Sequence, residues 1–463
     1  MTPERLHAAD ALLPTGWARD VLLEWGDRGD LVAVTPDAPI PEGVALAAGP
    51  VVPGLANLHS HAFQRAFAGL AECRGSSDDS FWSWRERMYR VANAVTPDEL
   101  DAIATWLFVE MLEGGYTSVC EFHYLHNDLD GRAYADDTTL AACLVHAAAR
   151  VGLGLTLLPV LYQQGGFGGV APTDGQRRFV RSTDTLLRLV EVMRRACDRP
   201  SARVGLAVHS LRAVTPEAMH HALTALAGQD QSAPIHIHVA EQQREVDECL
   251  AWSGQRPVAW LLDHAPVDQR WCLVHATHMS LDETRRASAT GAVAGLCPTT
   301  EANLGDGIFD WPGWTSASHG HWGVGSDSHV TVNAADELRM LEYSQRLRTG
   351  RRNVAATPGE PHVGTAMTLA AVAGGAAAAG RAVAGLAPGQ RADFVVLDRA
   401  HPLMAGLPAP DALDAHVFAS HRESAIDSVV VGGRTVVRHG RHALHAAAAE
   451  AFVRARTALL ARL

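Results

Sequence analysis

The stretch NLHSHAFQRAFAGL, Asn57 to Leu70, closes an apolar run that begins at Val51 (VVPGLANLH, 51–59) and places two histidines one residue apart at its end. Side chains alternate faces along a strand, so His59 and His61 share a face provided the extended geometry continues to His61. Beyond them the sequence turns helical, with Phe63, Phe67 and Leu70 expected to pack the segment inward. An apolar strand giving way to a helix is one βα unit, and seven further candidate strands follow. They are TSVCEFHY (117–124), LGLTLLPVLY (153–162), VGLAVHS (204–210), PIHIHVA (234–240), WCLVHAT (271–277), AVAGLCP (292–298) and HWGVGSD (321–327). Eight such units predict an α/β chain built on a closed (β/α)₈ TIM barrel.

Polar residues gather at the C-terminal ends of these strands: His59 and His61, Glu121 and His123, Tyr162, His209, His238 and Glu241, His275 and His278, Thr299 and Glu301, and Asp327. In a barrel of this kind that rim carries the active site. Histidine is abundant, with 24 copies, so one histidine alone says little and convergence is the test. His7, His319, His321, His362, His442 and His445 are read as structural or solvent-facing. Two histidines from the first unit, His238 from the fifth and Asp327 from the eighth would make a mononuclear N₃O metal site with one position open to solvent. His275 lies between them in barrel order, and His236 shares the face of His238.

Composition narrows the function further. The formal charge of −12 argues against a nucleic-acid or anionic-membrane partner and favours a small molecule. No stretch has the length and apolarity of a membrane span, and MTPERLHAAD lacks the basic-then-apolar pattern of a leader, so a cytoplasmic location is expected. The seven cysteines are scattered and never form CxxC, which points to neither a disulfide framework nor a thiolate metal site. All 39 basic residues are arginine. Mechanisms that need a Schiff-base lysine, a P-loop lysine or a lysine carbamate bridging two metals are thereby excluded.

The flanks read as a small β-sandwich domain built from both ends, residues 1–50 plus 386–445, around a barrel over 51–385, followed by a helix over 446–463. DFVVLD (393–398) and SVVVGGRTVVRHG (428–440) supply the strand-like runs of the second flank, and AMTLAAVAGGAAAAG (366–380) reads as a buried helix packed on the barrel.

At this point the residues resemble the amidohydrolase superfamily, whose pattern is HxH after strand one, histidine after strands five and six, and aspartate after strand eight. The resemblance spans essentially the whole chain, including the ADFVVLD sequence near Gln390 to Asp398. It implies His59, His61, His238 and Asp327 as ligands of one Zn²⁺ per subunit, or another divalent ion, since no lysine exists to bridge two. HVAE, with Glu241 three residues after His238, resembles the deaminase branch, in which the glutamate relays protons at the scissile carbon–nitrogen bond. Glu241, His275 and Asp327 are then the expected catalytic groups, with the order of proton transfer among them open.

Three motifs taken together, HSHAFQRAFAGL, FWSWRERMYR (81–90) and VHSLRAV (208–214), closely resemble the formimidoylglutamate deiminases, a histidine-degradation family. That resemblance implies a small dicarboxylate substrate held by Gln64, Arg85, Tyr124, His209 and Arg212, with Arg87 an alternative to Arg85, and a homodimer. Arginine suits the task because its planar fork meets a carboxylate bidentately. Trp82 and Trp84 are read as loop packing. The competing reading is another mononuclear deaminase acting on guanine or a related ring, whose pocket should favour aromatic and amide contacts.

Overall fold

The computed structural model describes residues 4–73, 80–197, 199–316, 320–419 and 424–463; His319 lies outside them. Eight parallel strands form the central barrel: β1 (Leu55–Ser60), β2 (Tyr116–His123), β3 (Gly154–Leu161), β4 (Leu206–Val208), β5 (Ile235–Val239), β6 (Trp271–His275), β7 (Val293–Leu296) and β8 (Trp322–Val324). A short strand, Ala202–Val204, also pairs with β3. Every residue of these eight strands is buried, as expected of strands covered on one side by helices and on the other by the barrel's own filling. The seam between β8 and β1 is closed by the backbone of Asp327 and His59 to His61: the Asp327 amide donates to the His59 carbonyl at 3.0 Å and the His61 amide to the Asp327 carbonyl at 3.3 Å. Gly325 permits this approach, since a Cβ there would lie 2.7 Å from the His59 nitrogen.

The run VVPGLANLH, read above as one strand, is two. Val51–Pro53 belongs to the terminal sheet, pairing with Phe394–Leu397, and only Leu55–Ser60 enters the barrel. The break falls at Gly54, where a Cβ would sit 2.1 Å from the Thr117 side chain of β2, so only glycine lets the chain pass from one sheet to the other.

The two chain ends join as one continuous nine-stranded sheet, in which the hairpin Glu4–Leu13 and Gly16–Trp25 connects through Val51–Pro53 to Phe394–Leu397, Ile426–Val431 and Arg434–Arg438. Its small core is separate from that of the barrel and includes Leu23, Trp25, Val51, Phe394 and Val430, with Trp25 and Phe394 in edge contact. A helix, Ala409–Ala419, interrupts the flank that the sequence presented as strands. The Ala-rich stretch forms the helix Val363–Ala379, buried on the barrel, where the Ala378 carbonyl accepts from His236 Nε2 at 2.8 Å. The last helix, His445–Leu460, lies along Pro97–Glu113, with Phe452 stacked on Trp106. No helix among the described residues is long and apolar enough to cross a membrane.

Candidate active site at the barrel rim

The strand ends at Ser60 and His61 leaves it at φ −126°, ψ 86°, just before the 3₁₀ turn Ala62–Phe67, yet the two histidines of the opening stretch still turn to the same centre. Phe63 and Phe67 are buried as expected, but Leu70 is 45% exposed and packs nothing inward. His59 Nε2 lies 3.1 Å from His61 Nε2 and 2.9 Å from His238 Nε2, all three rings buried. Asp327 Oδ1 completes the group, 3.3 Å from His61 Nε2 and 3.5 Å from His59 Nε2.

Orientation of the rings is set from behind. His61 Nδ1 donates to the Phe122 carbonyl and His238 Nδ1 to the His209 carbonyl, each at 3.0 Å, which leaves both Nε2 lone pairs turned to the centre. His59 instead packs edge-on against Phe122. Burial and the neighbouring histidines hold His59 and His238 well below the ordinary imidazole range, and burial pushes His61 down to about 3. The Nε2 lone pairs of His61 and His238, the His59 Nε2 atom and the Asp327 carboxylate converge on one point, four donor atoms that a single cation would satisfy together. The donor set therefore fits a divalent ion of the zinc type.

His275 faces the same centre from β6. Its Nε2 is 3.8 Å from both Glu241 Oε1 and Asp327 Oδ2, while Nδ1 is 3.3 Å from Glu301 Oε1. Burial works against the charged ring, yet Glu241, Glu301 and Asp327 raise it to about 10. Burial pushes Asp327 up to about 7, with His275 opposing. Five of the nine non-glycine residues with positive φ among the described residues sit on this rim: Ala240, His275, Ala276, Asp327 and His329. Backbone held in that sparsely allowed region is characteristic of functional sites.

Glu245 is one group the sequence did not flag. Its carboxylate accepts from the Ala240 and Glu241 amides at 3.1 and 3.3 Å, fixing the turn that delivers Glu241. Its spacing of four from Glu241, at the start of the helix Gln243–Ser253, was the available signal. Glu301 was noted only as a rim residue, and no sequence rule pairs it with His275.

A cavity opens from this centre, lined by His61, His238, Glu241, His275 and Asp327 on its floor. Gln64, Arg85, Tyr124, His209 and Arg212 line it as well, so all five residues singled out for substrate are brought together. Gln64 Nε2 donates to Tyr124 Oη at 2.9 Å, and His209 Nδ1 contacts Ser210 Oγ at 3.0 Å. Arg87 is committed elsewhere, donating to the carbonyls of Leu70, Ala71 and Cys73. Arg85 and Arg212 are not so committed. Neither has a hydrogen bond among the described residues, both Nε atoms are buried without a partner, and the nearest carboxylate to Arg212, Glu245, is 3.9 Å away. Although burial opposes it, Glu245 and Glu241 keep Arg212 firmly protonated, above the usual range.

Trp82 is not loop packing. It stands in the helix Phe81–Ala92, capped by Ser80, with the Arg85 guanidinium 4.4 Å and that of Arg244 4.3 Å from its ring centre. Trp84 does pack, against Phe67 and Phe81.

Residues 51–436 match the model of the amidohydrolase family. The chain is 49% identical over 448 residues to formimidoylglutamate deiminase of Pseudomonas aeruginosa, covering 97% of this chain and 98% of that protein. It is 28% identical to 8-oxoguanine deaminase of the same organism, over 83% and 81% of the two chains. A crystal structure of an amidohydrolase from Brucella melitensis superposes with a TM-score of 0.92 at 47% identity, over 99% of this chain and all of that one.

Proposed function

The chain belongs to the amidohydrolase family, and from that premise we propose that it hydrolyses N-formimidoyl-L-glutamate to N-formyl-L-glutamate and ammonia. The observation that carries this reading is the pair of cavity-lining guanidinium groups, Arg85 and Arg212, with no hydrogen bond to protein among the described residues. Most arginines in this structure hydrogen-bond to a carboxylate or a carbonyl; Arg85 and Arg212 line the cavity without such a bond, the Glu245 carboxylate standing 3.9 Å from Arg212, and offer their donors to an anionic ligand. A dicarboxylate supplies one group to each. A purine supplies neither, which disfavours the ring-deaminase alternative.

In this reading His59, His61, His238 and Asp327 hold one Zn²⁺ per subunit. When bound, zinc supplies the Lewis acidity that makes water nucleophilic near neutral pH. The chain's own groups do the rest. Arg85 and Arg212 fix the carboxylates, and Gln64, Tyr124 and His209 line the path between them and the ligand cluster, so that the formimidoyl carbon is presented at the floor. Water adds to that carbon while Asp327, beside the histidine Nε2 atoms, takes a hydrogen bond or proton from it. His275 orients the attacking oxygen and offsets the charge that develops on it. Glu241, whose Oε1 lies 3.8 Å from His275 Nε2 while Glu301 holds Nδ1, delivers a proton to the departing nitrogen as the carbon–nitrogen bond breaks. The products are ammonia and the N-formyl amide.

The same reading takes the protein to act in the cytoplasm as a homodimer, which light scattering on the purified protein would check. Ammonia release from N-formimidoyl-L-glutamate, measured beside guanine, cytosine and adenosine, tests the activity. Turnover of the first alone is expected; turnover of a base without it would replace this function by the ring-deaminase reading.

A further inference from the structure

Resting on the dicarboxylate reading above, we propose that Arg244, seated on Trp82, forms an outer anion station that receives the substrate at the mouth before it reaches Arg85 and Arg212. Three guanidinium groups surround one indole: their central carbons lie 4.4 Å (Arg85), 5.8 Å (Arg212) and 4.3 Å (Arg244) from the Trp82 ring centre. A second cavity adjoins the catalytic one, lined by these four side chains together with Phe167 and Trp252. Arg85 and Arg212 line both, so the cavities meet at the arginines.

Arg244 comes from the helix Gln243–Ser253, which follows the turn carrying Glu241, and its side chain is 60% exposed, at the solvent end of the series. Glu248, one helical turn on, takes its Nε at 2.6 Å. The two terminal nitrogens are left without a hydrogen bond among the described residues. An exposed pair of this spacing contributes little stability. Its geometric effect is larger, because Glu248 on one edge and the indole on the face fix the guanidinium with its fork open.

Charge gives the arrangement a purpose. The chain carries a formal −12, so its overall field repels a dianion at a distance. Within a Debye length of the mouth, the three guanidinium groups outnumber the two carboxylates within 4 Å of them among the described residues, Glu248 and Glu245, and leave unpaired donors for an anion. Stacking on Trp82 lets like charges gather, since the ring's negative face offsets part of their mutual repulsion. A carboxylate met first by Arg244 needs to move only within the one cavity that all three arginines line to reach the inner pair, and the product has the same path outward.

Arg244→Gln keeps the packing and removes the charge. Steady-state rates with zinc-loaded enzyme at about 20 mM salt should show kcat/KM lowered roughly three- to tenfold, carried by KM, with kcat within a factor of about two. The gap should close near 0.5 M salt, and Arg244→Lys should recover most of it. Equal kcat/KM and equal salt dependence in wild type and Arg244→Gln would overturn the proposal. Should wild type fail to turn over N-formimidoyl-L-glutamate, the function falls separately. Calorimetric titration with glutarate then still decides on the station: weaker binding to Arg244→Gln at low salt sustains it, identical binding removes it.

Discussion

Glu301 grips His275 from behind: its Oε1 lies 3.3 Å from Nδ1 and also accepts from the Cys297 amide at 2.8 Å, which turns Nε2 towards Glu241 and Asp327. Glu301 lines no part of the catalytic cavity, so it acts by holding the ring. Glu301→Gln retains an acceptor but removes the charge that favours the protonated imidazole. We expect kcat to fall about ten- to a hundredfold with KM and bound metal unchanged. Unaltered kcat would show that the ring is oriented by other means.

Arg212→Met should raise KM about a hundredfold, equivalent to the roughly 2–3 kcal/mol of a lost charge-assisted contact, with metal content intact. Arg87→Met provides the contrast. Its three carbonyl partners lie in the segment Leu70 to Cys73, so thermal stability should drop slightly while KM stays put. A KM effect at Arg87 equal to that at Arg212 would reassign the carboxylate contacts.

Much of this site was legible because its signals are local. Strand alternation joins His59 to His61, and polar residues at the ends of apolar parallel strands announce a barrel rim. What escaped depends on tertiary placement. VVPGLANLH reads as one largely apolar run, and only the packing of Thr117 against Gly54, where a Cβ would lie 2.1 Å from the Thr117 side chain, shows why the chain changes sheets there. Arg85 and Arg87 are equivalent in sequence until the carbonyls of residues 70, 71 and 73 claim the second of them. Trp82 looked like packing because Arg244, which stacks on it beside the local Arg85, arrives from a distant βα unit.

Burial holds the Glu337 carboxyl at about 8, against an ordinary 4.5, despite the Thr299 hydroxyl and amide that bond to it. A raised acid binds its proton more tightly folded than unfolded. Its contribution is therefore complete below about pH 4.5 and is lost as pH rises towards 8. Glu337→Gln cannot ionise, so denaturant unfolding across that window should shift in the variant's favour by on the order of 1–3 kcal/mol relative to wild type. A constant difference would mean that Glu337 is already ionised in the fold.

Stripping the metal should destabilise the protein, because the facing Nε2 atoms of His59, His61 and His238 lose the cation that reconciles them. With zinc at a thousandfold over its Kd the stabilisation amounts to about 4 kcal/mol. Calorimetry with and without chelator should show a drop of several degrees, reversed by zinc and absent in His61→Ala. Identical transitions would deny the cluster an ion.

Two arginines waiting for two carboxylates is the central claim, and substrate specificity reads it directly. Initial rates of ammonia release from N-formimidoyl-L-glutamate should exceed those from N-formimidoyl-L-glutamine, which lacks one carboxylate, by about a hundredfold or more in kcat/KM. Comparable kcat/KM for the two would contradict the account, since Arg85 and Arg212 would then have no part in choosing the substrate.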